Sequence, residues 1–103
     1  MAKVIWSERA VTDIEDIYDY IAKDSPTFAQ YQTERIAASV ELLEQFPESG
    51  RHLPEFPHLP HRELIVGRYR LIYRFESQRK AVYLVTVVHG SRPLNQSDIL
   101  ERV

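Results

Sequence analysis

The run Val82-Tyr83-Leu84-Val85-Thr86-Val87-Val88 constrains the fold more than any other feature of this sequence. Side chains along a strand point alternately to the two faces of its sheet, so a strand with one wet face alternates apolar and polar residues. This run is apolar at both parities, which is typical of a strand buried on both faces. The sequence therefore predicts a strand over residues 81–89 that lies centrally in its sheet.

Two further strands are predicted just before it, over residues 62–66 and 69–76. Gly67-Arg68 suits a two-residue hairpin turn, because glycine accepts a positive φ, and residues 77–80 form the next turn. In the strand over residues 69–76, alternation places the odd-numbered side chains on one face of the sheet and the even-numbered side chains on the other. The first set is Tyr69, Leu71, Tyr73 and Phe75, and the second is Arg70, Ile72, Arg74 and Glu76.

The N-terminal half predicts a short strand over residues 3–6 followed by two helices. Ser7 is placed to cap the first helix, whose apolar positions recur every three or four residues at Ala10, Ile14, Ile17 and Ile21. Ser25 is placed to cap the second helix, which begins at Pro26 and ends before Pro47 and Gly50. A short loop between two helices predicts an antiparallel hairpin.

The order β-α-α-β-β-β predicts an α+β fold. We expect an N-terminal strand and a helical hairpin packed on a three- to four-stranded antiparallel sheet, with the opposite face partly open and carrying arginines. The 103 residues suit one domain, 1–103, in which residues 94–103 form a tail or a short helix.

Composition excludes several classes of protein. The chain has no cysteine, which rules out disulfide frameworks, thiolate metal sites and cysteine nucleophiles. We expect a cytoplasmic protein, since residues 1–7 hold no signal-peptide pattern and no stretch is apolar enough to cross a membrane. Four prolines and three histidines fall in residues 47–61, but prolines separate the histidines, and we expect neither a metal nor a cofactor.

Charge is divided unevenly along the chain. Residues 1–50 carry a formal charge of −6 and residues 51–103 carry +4, and ten of the thirteen cations are arginine. Arginine favours bidentate contacts with phosphate or carboxylate. The basic half therefore either faces nucleic acid or an acidic protein, or pairs with the acidic half of the same chain.

No catalytic signature such as a phosphate loop, a nucleophile elbow or a zinc-protease helix is present. A set of cations with one tyrosine and one histidine is the remaining candidate for chemistry: Arg62, Arg68, Arg70, Tyr73, Arg74, His89 and Arg92, of which Arg62, Arg70, His89 and Arg92 are the catalytic candidates. Such a set suits a metal-free ribonuclease, in which arginines stabilise the pentacovalent phosphate and a histidine or tyrosine moves the proton. His89 suits a structural role at the strand end equally well. For Tyr69 and Tyr73, packing in the hydrophobic core is the favoured interpretation.

Apolar side chains beyond the needs of a small core predict a docking groove for a partner helix or strand. They are Phe28, Tyr31, Leu53, Phe56 and Leu59. Arg68 and Arg74 are candidates for the charged rim of the same surface.

Ordered motifs over residues 3–93 resemble the RelE/ParE superfamily of bacterial toxins. They are Ser7-Glu8-Arg9-Ala10, Asp13-Ile14, Ile17-Tyr18-Asp19-Tyr20-Ile21, Leu43-Glu44-Gln45-Phe46-Pro47, Gly50-Arg51, Arg62-Glu63-Leu64, Tyr69-Arg70-Leu71-Ile72-Tyr73 and Val87-Val88-His89-Gly90-Ser91-Arg92. The resemblance implies a helical hairpin against a twisted antiparallel sheet. It also implies a cognate antitoxin that masks the toxin through an acidic segment, with Phe28, Tyr31, Leu53, Phe56, Arg68 and Arg74 as its contacts here.

The resemblance implies two possible targets. RelE-like members cut mRNA on the ribosome, and ParE-like members poison DNA gyrase. RelE-like nucleases are strongly basic and often carry a tyrosine near the C-terminus, whereas this chain has a pI near 6.1 and no tyrosine after Tyr83. We therefore favour the ParE branch. Catalysis by Arg62, Arg70, His89 and Arg92 applies only to the nuclease alternative, and a non-toxic antitoxin-binding module is a third hypothesis.

Overall fold

The structure is a computed structural model that describes residues 1–100. The predicted tail over 94–103 therefore extends three residues, 101–103, beyond the described part. Within residues 1–100 the elements in chain order are β1 (Lys3–Trp6), α1 (Glu8–Ala22), α2 (Pro26–Gln45), β2 (Arg51–His52), β3 (Arg62–Val66), β4 (Tyr69–Glu76), β5 (Ala81–His89) and α3 (Gln96–Ile99).

The strands form one sheet in the order β1-β5-β4-β3-β2. The α+β class, the N-terminal strand and the helical hairpin are confirmed, but the sheet has five strands rather than three or four. Its β1–β5 pair is parallel, and the chain between these two strands forms α1, α2 and the strands β2, β3 and β4. The additional strand, β2, pairs only Arg51 and His52 with β3.

Both long helices begin where the sequence predicts. The Ser7 hydroxyl accepts from the amide of Ala10 at 3.0 Å, and the Ser25 hydroxyl accepts from the amide of Phe28 at 3.1 Å. Each cap provides a hydrogen-bond acceptor for one of the backbone amides in the first helical turn, which have no acceptor within the helix. No helix within residues 1–100 is both long enough and apolar enough to cross a membrane.

One face of the sheet, called here the helix face, packs against α1 and α2. The buried side chains from both layers interdigitate there: Ala10, Ile17, Ile36, Val40, Leu43, Val66, Leu71, Tyr73, Val82, Leu84 and Val87. The predicted parity of β4 holds on this face, since Leu71 and Tyr73 point into this core and Ile72 does not.

The opposite, outer face carries a second apolar core. Its buried members are Leu53, Ile72, Val85, Val88, Leu94 and Ile99, with Phe56 and Leu59 packed against them. The centre of the outer face is therefore covered, whereas Ile65, which is opposite Arg70 on the same face, is 58% exposed. The proline-rich loop of residues 53–61 and the segment that includes α3 fold over this face, because Ile72 and the valines of β5 must be shielded from water.

β5 lies between β1 and β4 and is buried on both faces, as its apolar sequence predicts, and it contains a β-bulge. Tyr73 is opposite Leu84 and Ile72 is opposite Thr86, so Val85 is an extra residue with no partner in β4. Before the bulge the even-numbered residues face α1 and α2, and after it the odd-numbered ones do. Val87 thus joins the helix-face core, and His89 is turned to the same face.

Candidate functional site

A cleft of about 1010 Å³ lies at the end of the sheet where β5 finishes. It lies between α1, the start of α2, the β3–β4 turn and the residues after β5, and we call it the sheet-end cleft. Its carboxylates are Asp13, Asp16 and Asp24, its guanidinium groups are Arg35, Arg68 and Arg92, and its rings are Tyr20, Phe28, Tyr69 and His89.

Tyr69 and His89 lie side by side in the lining of the cleft. They are register partners across β4 and β5, and their rings meet edge to face with centroids 5.4 Å apart. The amide of Ser91 donates to His89 Nδ1 at 3.1 Å, so a neutral His89 ring carries its proton on Nε2. The arrangement puts an imidazole N–H and a phenol in one solvent-accessible site.

Tyr69 is the site residue that sequence reasoning missed, since parity assigned it to the core. It is half-buried, and burial together with the nearby Tyr20 raises the pKa of its phenol, while Arg68 opposes that shift. The hydroxyl therefore stays protonated at neutral pH and is a hydrogen-bond donor there. The available signal was its position directly after the Gly67-Arg68 turn, which puts it opposite the end of β5.

The β3–β4 turn forms one rim of the cleft and is tied to α2. Gln32 Nε2 donates to the carbonyl of Val66 at 3.1 Å, inside the protein. Gly67 has a φ of +61°, and a Cβ there would lie 2.9 Å from the Gln32 Oε1 atom. The turn therefore needs glycine, and it presents Arg68 to solvent at a fixed place beside Tyr69.

Arg70, predicted as a catalytic residue, is on the outer face and is buried. Its Nε donates to Glu63 Oε1 at 2.6 Å, and its two Nη atoms donate to Glu55 at 2.6 and 2.8 Å. The bond to Glu55, and then those to Glu63, raise the pKa of the guanidinium, and Arg70 in turn lowers the pKa of Glu55. Both carboxylates occupy the donors that a phosphate would need.

The other predicted catalytic arginines also make internal bonds. Arg62 donates to the carbonyls of Glu48 and Gly50 at 3.3 and 2.8 Å. Arg92 donates to Asp98 at 2.9 Å, and Asp98 also pairs with Arg9. The pKa of Asp98 is lowered by the amide of Asn95 and by these arginines, so it stays charged and holds α3 to α1.

The predicted catalytic set is thus divided between two faces of the sheet. His89 and Arg92 share the sheet-end cleft, whereas Arg70 lies on the outer face and Arg62 contacts the carbonyls before β2. The physical reason is the bulge in β5, which turns His89 away from the face that carries Arg70.

The predicted antitoxin contacts are also divided. Phe28 and Tyr31 are each 53% exposed, and their rings stack on α2 with centroids 6.0 Å apart. The Arg35 guanidinium covers Tyr31 at 5.7 Å, and Arg68 is exposed nearby at the cleft. These four side chains form one continuous apolar and basic surface, which we call the aromatic–arginine surface.

The remaining predicted contacts lie elsewhere. Leu53 is fully buried in the outer-face core, because the loop that carries it folds inward to shield Ile72 and the valines of β5, and its side chain presents no surface to a partner in this structure. Phe56 packs on the same core and is half-buried. Arg74 stacks on Tyr83 at 4.5 Å, on the outer face.

Metal-ligating side chains do not converge in the described part of the chain. Among residues 1–100, no group of three or more histidine, aspartate or glutamate side chains is placed to hold a metal ion. The cleft itself brings together guanidinium groups, carboxylates, aromatic rings and one imidazole.

Sequence comparison identifies the family. A sequence model described as "ParE toxin of type II toxin-antitoxin system, parDE" matches residues 4–94. Toxin RelE2 of Caulobacter vibrioides is 34% identical, over 89% of this chain and 99% of that protein. Putative toxin Y4kP of Sinorhizobium fredii is 31% identical, over 85% of this chain and 88% of that protein.

Structure comparison agrees on the fold. The chromosomal ParDE toxin–antitoxin system from P. aeruginosa contains a chain that matches with a TM-score of 0.70 and 24% identity, over 86% of this chain and 96% of that one. The intact E. coli RelBE toxin–antitoxin complex matches with a TM-score of 0.62 and 17% identity, over 89% of this chain and 100% of that one. The family model and the relatives together show that this chain belongs to the RelE/ParE superfamily of type II toxin–antitoxin toxins, and the model that it matches is that of the ParE toxins.

Proposed function

We propose that this toxin, acting in the cytoplasm as a single domain over residues 1–103, inhibits bacterial growth by poisoning DNA gyrase. The observation that carries the proposal is the burial of Arg70 between Glu63 and Glu55, on the face opposite His89. A phosphodiester would have to displace two carboxylates from a nearly dry site in order to reach that guanidinium. The pI near 6.1 adds support, because it gives little long-range attraction to the rRNA of a ribosomal site.

A cognate antitoxin is the second part of the proposal. Solved structures that share this fold are described as toxin–antitoxin systems and complexes. The aromatic–arginine surface of Phe28, Tyr31, Arg35 and Arg68 suits an acidic partner segment with apolar side chains. Aromatic rings of this size that are half exposed on a rigid helix are the usual anchors of an interface.

Replacing Phe28 and Tyr31 together by alanine is expected to weaken antitoxin binding by at least about tenfold. The melting temperature of the free toxin should stay within a few degrees, because both rings lie largely in solvent. The measurement is titration calorimetry with the purified cognate antitoxin. Thermal melts with and without the antitoxin should show a smaller stabilisation of the double variant.

Leu42→Ala is the matched control, since Leu42 is 49% exposed on the same helix but lies outside the cleft and this surface. It should bind the antitoxin as the natural chain does. Equal affinity for the double variant and the Leu42 control would place the antitoxin elsewhere.

The gyrase target is tested with purified components. The toxin should inhibit supercoiling by gyrase and trap gyrase–DNA cleavage complexes, and equimolar antitoxin should reverse both effects. Topoisomerase I serves as the control enzyme and should be unaffected. Full supercoiling in the presence of excess active toxin would rule out gyrase as the target.

A RelE-like ribosome-dependent mRNA endonuclease is the second candidate, favoured by the grouping of His89, Tyr69 and Arg92 in one cleft. In this mechanism His89→Ala should lower mRNA cleavage on ribosomes about 10²–10³-fold, as for other groups that act in a transition state. If gyrase is the target, His89→Ala should leave growth arrest unchanged. Primer extension on a ribosome-bound message distinguishes the two results.

A non-toxic antitoxin-binding module is the third hypothesis. It predicts antitoxin binding through the aromatic–arginine surface, but normal growth when the chain is expressed alone. Growth arrest on induction, relieved by co-expression of the antitoxin, would exclude it.

A further inference from the structure

The register of β5 against β4 is not determined by the apolar pattern of β5 alone. Without the extra residue, Val87 would be opposite Arg70 in place of Val88, and Thr86 would be opposite Leu71 in place of Val87. The first change exchanges one valine for another, and the second exchanges valine for a threonine of similar shape, whose hydroxyl donates to Asp13 in the observed register. Register is weakly specified where both faces accept residues of similar shape, so polar contacts contribute to the selection of the register that contains the bulge.

Two registers are available to the end of this strand. In the observed one Val85 is the extra residue, Val87 is opposite Leu71, and His89 is opposite Tyr69 in the sheet-end cleft. In a regular strand without the bulge, the alternation of Val82 and Leu84 would continue to Thr86 and Val88 on the helix face. His89 would then be on the outer face, which carries Arg70.

Asp13 of α1 makes the contacts that distinguish these registers. Its Oδ2 accepts from the amide of Val87 at 3.0 Å and from the hydroxyl of Thr86. Beyond Leu84, β5 has left its pairing with β1, and α1 lies beside this stretch of β5 instead. The carboxylate thus accepts from a strand amide that β1 does not reach.

The bond from Val87 exists only when the bulge is present. In an antiparallel ladder, successive residues direct their amides alternately to the two neighbouring strands. A regular strand would direct the Val87 amide to β4, and the extra residue turns it to α1. The hydroxyl of Ser7 supports the same arrangement, since it donates to the carbonyl of Val85 at 2.8 Å.

We propose that Asp13 is a positioning residue, whose carboxylate selects the bulged register of β5 and thereby places His89 in the sheet-end cleft beside Tyr69. The inference goes beyond the proposed function and does not depend on the target. A charge-assisted bond of this kind shifts the balance between two registers by roughly ten- to a hundredfold.

The test is NMR spectroscopy of the full free chain, comparing the natural protein with Asp13→Ala and with Asp19→Ala. Asp19 is an exposed carboxylate on the same helix and does not line the cleft. The natural chain and the Asp19 control should show nuclear Overhauser effects between the rings of Tyr69 and His89. Asp13→Ala should lose them or show a second set of signals, with the Thr86 methyl group close to Leu71 and the Val88 methyl groups close to the Tyr69 ring.

Deletion of Val85 provides a rescue that does not depend on how well Asp13→Ala folds. Removing the extra residue leaves a regular strand in which His89 faces the cleft without help from Asp13. Asp13→Ala in the Val85-deleted chain should therefore keep the Tyr69–His89 contact. The proposal fails if Asp13→Ala alone retains that contact and the Val87–Leu71 contact in full, or if the deletion leaves a folded chain that lacks the Tyr69–His89 contact.

Discussion

Replacing Glu63 by alanine is expected to lower the free energy of unfolding by about 3–5 kcal/mol, a large share of what a domain of this size has. The Glu63 side chain is fully buried and accepts from Arg70 at 2.6 Å and from Arg51 at 2.7 Å. Its removal leaves Arg70, a buried cation, with only Glu55 in the loop of residues 53–61. Urea unfolding followed by circular dichroism measures the change.

Glu76→Ala is the matched control for Glu63→Ala. Glu76 contacts Arg74 and Arg79 at 3.5 Å, and all three side chains are partly exposed, so its loss should cost less than about 1 kcal/mol. Equal losses for the two variants would show that the Glu63–Arg70 pair is not the buried anchor described above. A large loss of stability for Glu63→Ala alone would also show that Arg70, its partner, holds the fold together. Inactivity of an Arg70 variant would then reflect unfolding and would be no evidence that Arg70 is catalytic.

Leu53→Ala is expected to cost about 2–5 kcal/mol. Leu53 has no exposed surface and packs against Ile72 and the valines of β5, so its truncation leaves a cavity beneath the proline-rich loop. The same urea experiment measures the loss. Limited proteolysis should also cut the loop of residues 53–61 faster in this variant, since Leu53 anchors its start.

Leu42→Ala removes the same atoms from a half-exposed site and should change stability by less than about 0.5 kcal/mol. A similarly small effect at Leu53 would contradict the assignment of an outer-face core. The contrast between Leu53 and Leu42 therefore tests whether the outer face of the sheet carries a second apolar core.

The elements of the fold were predictable because their signals are local. Ser7 and Ser25 cap the helices as expected, and Gly67-Arg68 forms the predicted turn. The parity of β4 also holds over its whole length. Helix caps, turns and strand alternation depend on residues a few positions apart, so a single sequence contains them.

The arrangement of the site was not predictable in the same way. The bulge at Val85 turns the amide of Val87 to Asp13, more than seventy residues away in sequence, and it decides which face His89 occupies. The burial of Arg70 depends on Glu55, in a loop whose prolines indicate only irregular structure. Both features require tertiary contacts that no local pattern encodes.

Pulse-labelling of DNA and protein synthesis after induction in a bacterial host tests the central claim most directly. The gyrase proposal predicts that thymidine incorporation falls first while methionine incorporation continues, and that co-expressed antitoxin restores both. His89→Ala should give the same order of events. An early stop in methionine incorporation with DNA synthesis still running would contradict the proposal and assign the toxin to the ribosome, with His89, Tyr69 and Arg92 as its catalytic candidates.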